Sequence, residues 1–159
     1  MILTGLSNTI DVLNAADISH IGTYKTQEEH DNVMIKYTKG VKIAFLDYTN
    51  FSKKSSIPSD KTFAINVIDE ETIKKDLENA KTHNPDLIVV SMNWGSENAT
   101  KVTQTQKDLA DFLFQNGVDI ILENGPKSLQ PMEKRTVTLE DGSTKDGFVI
   151  YSLGSFISD

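Results

Sequence analysis

The sequence of 159 residues contains no cysteine, so neither a disulfide nor a thiolate metal site can hold it together. That absence suits either redox compartment and does not localise the protein. Basic residues are in the minority: 16 Lys and Arg stand against 23 Asp and Glu, a formal charge of −7 and a pI near 4.9. A surface of that sign repels phosphate backbones and anionic headgroups, which excludes nucleic-acid binding through a broad basic face. Long apolar runs are missing as well. Stretches such as 87–90 and 118–122 fall far short of the ~20 residues that a membrane-spanning helix needs. Met1-Ile2-Leu3 has no basic flank, so no secretory leader is expected at this start. Histidine is scarce, and His20, His30 and His83 show no metal-ligand spacing. No phosphate-cradling glycine loop, HExxH or nucleophile elbow is present.

What remains is the composition of a soluble globular domain, 38% hydrophobic and 25% charged. A chain of this length buries roughly 70% of the surface its unfolded form exposes, enough for one core without a staple. Five short segments rich in β-branched and aromatic residues read as strands: 41–48 (VKIAFLDY), 63–68 (FAINVI), 87–93 (LIVVSMN), 118–122 (VDIIL) and 148–153 (FVIYSL). Helices are read at 7–16, with Ser7 or Asn8 as cap, at 69–82 with Ile73, Leu77 and Ala80 inward, and at 105–115. The last has Leu109, Ala110, Phe112 and Leu113 as its apolar stripe.

The run 63–122 is therefore a βαβαβ unit, which implies a partly parallel sheet with right-handed crossovers. Residues 134–139 and 148–153 flank the turn Glu140-Asp141-Gly142-Ser143 and read as a C-terminal antiparallel hairpin. Segments 33–38 and 41–48 read as another, around Lys39-Gly40. Residues 52–61, rich in Ser, Lys and Pro, read as a surface loop. The expected fold class is α/β, in one domain.

Ligands of open α/β sheets gather at the carboxyl ends of the parallel strands. That rule selects 93–97 (Asn93, Trp94, Gly95, Ser96, Glu97), 123–127 (Glu123, Asn124, Gly125, Pro126, Lys127), 47–50 and 154–156. Each place also has an ordinary explanation, since Asn, Asp and Gly after strands are common turn residues and an exposed loop carboxylate is usually just solvated. The residues alone give a polar strand-end cleft without an assembled catalytic set.

The wording of these loops resembles a known family. Residues 87–97 (LIVVSMNWGSE), 119–131 (DIILENGPKSLQP) and 150–156 (IYSLGSF) are similar to the bacterial capsule-synthesis proteins of the CapA/PgsA type, relatives of the calcineurin-like metallophosphoesterases. The family's usual wording there is HWGxEY, GHHPHVLQP and YSLGNF. Residues 5–24, like the family's helix and its strand ending in HVG, and 41–49 extend the likeness over nearly the whole chain. The resemblance implies part of a metallophosphoesterase-like α/β sandwich and a place in poly-γ-glutamate or capsule production. It also implies the extracellular face of the bacterial membrane.

The departures fall on the ligand positions. Asn93 stands where the family has the histidine of HWG, while Trp94, Gly95 and Glu97 agree. Glu123, Asn124, Gly125, Pro126 and Lys127 stand in place of GHHPH, and Ser155 replaces the asparagine of SLGNF. Amide oxygens are weaker ligands than imidazoles for zinc, iron or manganese, so no cofactor is expected. If a divalent cation binds, Mn, Mg or Ca through Asn93, Glu123 and Asn124 is the alternative. The family also carries a further N-terminal part, so the chain reads as the C-terminal part of a larger domain or as a shortened relative. An open sheet edge would then offer a homodimer contact. Three functions follow: a capsule or polyglutamate protein lacking the usual metal site, a hydrolase with altered ligands, or a dimerising scaffold. For the first, Lys127, Lys134 and Arg135 are expected to line a groove for the anionic polymer.

Overall fold

A computed structural model describes residues 2–50 and 57–155. Six strands form one sheet in the order β1-β2-β3-β4-β6-β5. They are β1 (Met34–Thr38), β2 (Val41–Thr49), β3 (Leu87–Asn93), β4 (Ile120–Glu123), β5 (Met132–Thr138) and β6 (Thr144–Ile150). The central pairings β2–β3, β3–β4 and β4–β6 are parallel. The two edge strands, β1 and β5, pair antiparallel as hairpin partners of β2 and β6. The α/β class and the presence of two hairpins are as the sequence led one to expect, and a βαβαβ unit is present with a different first strand.

Among the described residues four α-helices accompany the sheet: α1 (Ile2–Ala15), α2 (Gln27–Asp31), α3 (Glu70–Thr82) and α4 (Gln104–Gln115). Their starts are chemically specified. The Asp69 carboxylate accepts the N–H of Thr72 at 3.0 Å and caps α3. Thr103 and Gln106 form a reciprocal capping box on α4, which explains why Gln106 is buried although polar. Ile73, Leu77 and Ala80 of α3 and Ala110, Leu113 and Phe114 of α4 meet Ala44, Leu46, Tyr48, Ile88, Val90, Met92, Ile121 and Val149 of the sheet. These strand residues alternate with the rest, so the core lies on one face of the sheet.

Five expectations are corrected. Residues 63–68 are not a strand: a 3₁₀ segment, Ser59–Ala64, takes up Phe63 and Ala64. Only two isolated bridges remain, Thr23 to Ile65 and Thr49 to Val67. The first strand of the βαβαβ unit is thus β2. For the same reason 59–61 are 3₁₀ rather than loop, while 51–56 lie outside the described residues. Ser7 and Asn8 lie inside α1, which begins earlier, so neither caps it. In 18–24, the stretch likened to a strand, only Thr23 makes a bridge. The C-terminal hairpin is also shifted, with its strands starting at Met132 and Thr144, because Tyr151 leaves the ladder in a bend.

Candidate functional site

The parallel strands β2, β3 and β4 end side by side. Thr49 is in register with Asn93, and the N–H of Asn50 donates to the Asn93 carbonyl at 2.8 Å. Met92 is in register with Glu123, and the N–H of Asn124 donates to the Met92 carbonyl at 3.0 Å. Alternation therefore carries Asn93 and Asn124 to the sheet face that bears Asp47, Ser91 and Leu122, and both amides are exposed. Burial raises the Asp47 carboxyl above its ordinary range, opposed by a hydrogen bond with Ser91. Gly22 packs so closely on Asp47 that a Cβ there would overlap its carboxylate.

Glu123 goes the other way. It lies two residues after the core residue Ile121, on the helix-covered face, and is fully buried. Its Oε1 accepts the backbone N–H of Gly125 at 2.6 Å and of Trp94 at 3.2 Å. Its Oε2 has no hydrogen-bond partner among the described residues. Burial pushes the carboxyl up to about 7, against the two amide donors that favour the ionised form. Gly125 is required here, because a Cβ would overlap the Trp94 carbonyl oxygen and lie 2.6 Å from Glu123 Oε1. Trp94 is 3% exposed and stacks on Tyr151, ring centroids 6.3 Å apart, so it belongs to the core. Its indole N–H has no acceptor among the described residues.

The loop after β4 is pinned to the end of β6. Ser152 donates its hydroxyl to the Pro126 carbonyl at 2.8 Å, and the N–H of Ser155 donates to the Lys127 carbonyl at 2.9 Å. Lys127 forms an exposed ion pair with Glu97 at 2.6 Å, which holds that carboxyl below and that ammonium above their ordinary values. The structure thus brings Asn93 and Asn124 together at one rim and Glu97 to Lys127 beside it. It separates Glu123 and Trp94 from that rim by turning them inward. Gly95 and Ser155 are exposed and contribute backbone.

The basic groove is not formed. Arg135 turns to the helix side and pairs with Asp111 of α4 at 2.8 Å, while Lys134 turns to the opposite face and pairs with Asp146 at 2.6 Å. Neighbouring residues of a strand point to opposite faces, so the two cations cannot line one groove with Lys127. Arg135 also donates to the Tyr151 hydroxyl at 2.9 Å, which in turn donates to Glu133 at 2.9 Å.

Comparison with known sequences settles the kinship. The profile of the bacterial capsule synthesis protein family, PGA_cap, matches residues 2–159. The chain belongs to that family. It is 27% identical over 158 residues to the capsule biosynthesis protein CapA of Bacillus anthracis, covering 98% of this chain and 36% of that protein. It is also 27% identical over 156 residues to the PGA biosynthesis protein CapA of Bacillus subtilis (strain 168), covering 98% of this chain and 38% of that one. The chain thus spans less than two-fifths of the length of these capsule-synthesis relatives. No helix among the described residues is long and apolar enough to cross a membrane.

The metal chemistry implied by the family's histidine wording finds a poor fit in these residues. Asn93 and Asn124 offer neutral amides, Glu123 is turned into the core with its Oε1 on backbone N–H groups, and Glu97 pairs with Lys127. Among the described residues no three His, Asp or Glu side chains gather where they could hold an ion. Two features escaped the sequence reading. Ser91 beneath Asn93 was recoverable from the two-residue period of β3. A cavity of about 860 Å³ was not, since His30, Asn66 and Asp76 line it from α2, the segment after the 3₁₀ turn and α3.

Proposed function

We propose that this capsule-family chain serves capsule or poly-γ-glutamate assembly at the outer face of the bacterial membrane by binding, without metal-dependent hydrolysis. The observation that carries the reading is the pair of exposed amides, Asn93 and Asn124, side by side on adjacent strands where the family's wording has imidazoles. Amide N–H groups donate to carboxylates and amide carbonyls accept from peptide N–H groups, the two polar groups of a polyglutamate chain. The names of the two relatives, capsule and PGA biosynthesis proteins, support the same setting.

A second reading keeps hydrolysis. Asp47 shares the face of Asn93, so oxygen ligands for a hard cation such as Mg²⁺, Mn²⁺ or Ca²⁺ start to assemble there. One set of measurements separates the two. Thermal melts with each cation should show no shift, and poly-γ-glutamate should bind the chain and lose affinity in Asn93→Ala/Asn124→Ala. A melting temperature that rises with Mn²⁺ and falls back in the same double variant would sink the binding-only reading, because a ligand of the native state must stabilise it.

A further inference from the structure

The cavity lined by α2, α3 and the segment after the 3₁₀ turn has no part in the proposed function. It measures about 860 Å³, within the range of small-molecule sites, and lies against α3, on the other side of the sheet from Asn93 and Asn124. One wall is apolar, made by Phe63, Ile65 and Val67. The other is a polar stripe of α3 and its cap. Asp69, Thr72, Asp76 and Asn79 recur there at spacings of three and four, which sets them on one side of the helix.

Along that stripe the hydrogen-bond donors are already engaged. Tyr48 donates its hydroxyl to Asp76 Oδ2 at 2.9 Å, and Oδ1 has no partner among the described residues. Thr72 donates its hydroxyl to Asp69 at 2.8 Å, and Asn79 donates an amide N–H to the Asp31 carbonyl at 2.8 Å. His30 Nδ1 lies 3.0 Å from the Asp31 carboxylate, which can only accept, so Nδ1 carries the proton and Nε2 of the neutral ring is an acceptor. What the stripe and His30 have left is mainly acceptor capacity: Asp76 Oδ1, the Thr72 oxygen, the Asn79 side-chain oxygen and His30 Nε2. The complement of such a lining is a group made of donors.

Charge points the same way. Three carboxylates, Asp31, Asp69 and Asp76, line the cavity against the single ammonium of Lys75, on a chain of −7. That sign turns away an anionic polymer. A bare metal ion fits poorly too, since among the described residues no three His, Asp or Glu side chains gather where they could hold one. Burial raises the Asp76 carboxyl above its ordinary range, against the Tyr48 hydroxyl and the more distant His30 and Lys75, as expected of an anion with one hydrogen bond and no close counter-charge.

We propose that the cavity binds a small aliphatic amine, its primary ammonium on Asp76 Oδ1 and its stem along Phe63, Ile65 and Val67. An ammonium brings three donors to the acceptors of the α3 stripe and a positive charge to Asp76, and the apolar wall covers the stem. This site is separate from the amide rim and stands whether or not poly-γ-glutamate binds there.

Calorimetric titration and thermal melts of this chain with 1-pentylamine test it, with 1-pentanol as the same stem without the charge and glucose as a neutral polyol. Pentylamine at millimolar concentration should bind and raise the melting temperature, and the other two should do neither. Asp76→Asn should weaken pentylamine about ten- to a hundredfold. Lys75 is exposed, so Lys75→Glu leaves the fold intact and should tighten binding about two- to fivefold by removing a like charge from the mouth and adding an opposite one. If Asp76→Asn fails to fold, the Lys75→Glu comparison decides. Equal responses to pentylamine and pentanol would overturn the proposal in favour of an uncharged ligand. So would a response to glucose alone, no response to pentylamine, or a folded Lys75→Glu that binds it no more tightly than the wild type.

Discussion

The Glu123 carboxylate accepts the backbone N–H of Trp94 from the neighbouring strand, and the same oxygen accepts that of Gly125. One fully buried side chain thus joins the loops after β3 and β4, beneath the rim where Asn93 and Asn124 sit. Its titration should be readable in stability. The folded carboxyl titrates at about 7 against an ordinary 4.5, so between those values the folded state holds more proton than the unfolded one. This group's contribution is complete below pH 4.5 and is lost as the pH rises to 7, by at most about 3 kcal/mol. Denaturant unfolding at pH 4.5 and pH 7.5 should show a steeper loss in the wild type than in Glu123→Gln. Equal slopes would contradict the burial of this carboxyl.

Two glycines should respond in opposite directions. Gly125→Ala places a methyl group onto the Trp94 carbonyl and should cost about 1–3 kcal/mol of stability. Gly5 lies in the interior of α1 with nothing within 4 Å of a would-be Cβ, so Gly5→Ala should gain about 1 kcal/mol from helix propensity. Thermal melts of the two variants check the contrast.

How far the sequence showed this differs by element. β2, β3 and β4 were legible because apolar runs buried by their neighbours are hard to mistake, and α3 because Asp69 announces its start. The segment 63–68 carries the same β-branched residues, yet it pairs with only one bridge on each of two sides: Thr49 donates to the Asn66 carbonyl and accepts from Ile68 N–H, while Asn66 N–H donates to the Gly22 carbonyl and Tyr24 N–H to the Ala64 carbonyl. Propensity describes a residue's fit to a pleated surface but not whether a partner of equal length exists. At the site, Glu123 resembled a cleft carboxylate at a strand end. Counting two residues on from Ile121 would have put it inside. The adjacency of Asn93 and Asn124 depends on register between strands 31 residues apart in sequence, which no local pattern encodes.

The hydroxyl of Tyr151 is the hinge of a small network. Burial, helped by its bond to Glu133 and opposed by Arg135, pushes it up to about 12, so it stays a neutral donor at any physiological pH. Tyr151→Phe removes both hydrogen bonds while preserving the ring against Trp94, and should cost about 1–2 kcal/mol with no pH dependence below 9. Chemical denaturation across pH 6 to 9 would measure it. A loss that grows with pH would indicate that the hydroxyl ionises in the wild type.

The cap on α4 offers a local test. Thr103→Ala removes the acceptor for the Gln106 N–H and breaks the reciprocal box, which should cost about 1 kcal/mol. Gln106 is also within 3.4 Å of Gln130 in the loop before β5. Hydrogen exchange should therefore report faster opening of the first turn of α4 and of residues near Gln130, while β3 is unaffected.

The order of strands in the sheet has a bearing on how the chain comes together. Both rims are hairpins closed by short turns, which form in about 1–10 µs, whereas Leu87 must find Ile43, a partner 44 residues back, with α3 already folded between them. Topology thus predicts assembly from the rims inward, with two ready-made hairpins waiting on the insertion of β3 and β4. The strand that ends in Asn93 is thus held by the longest-range pairing of the sheet, so the rim of the site depends on closing its largest loop.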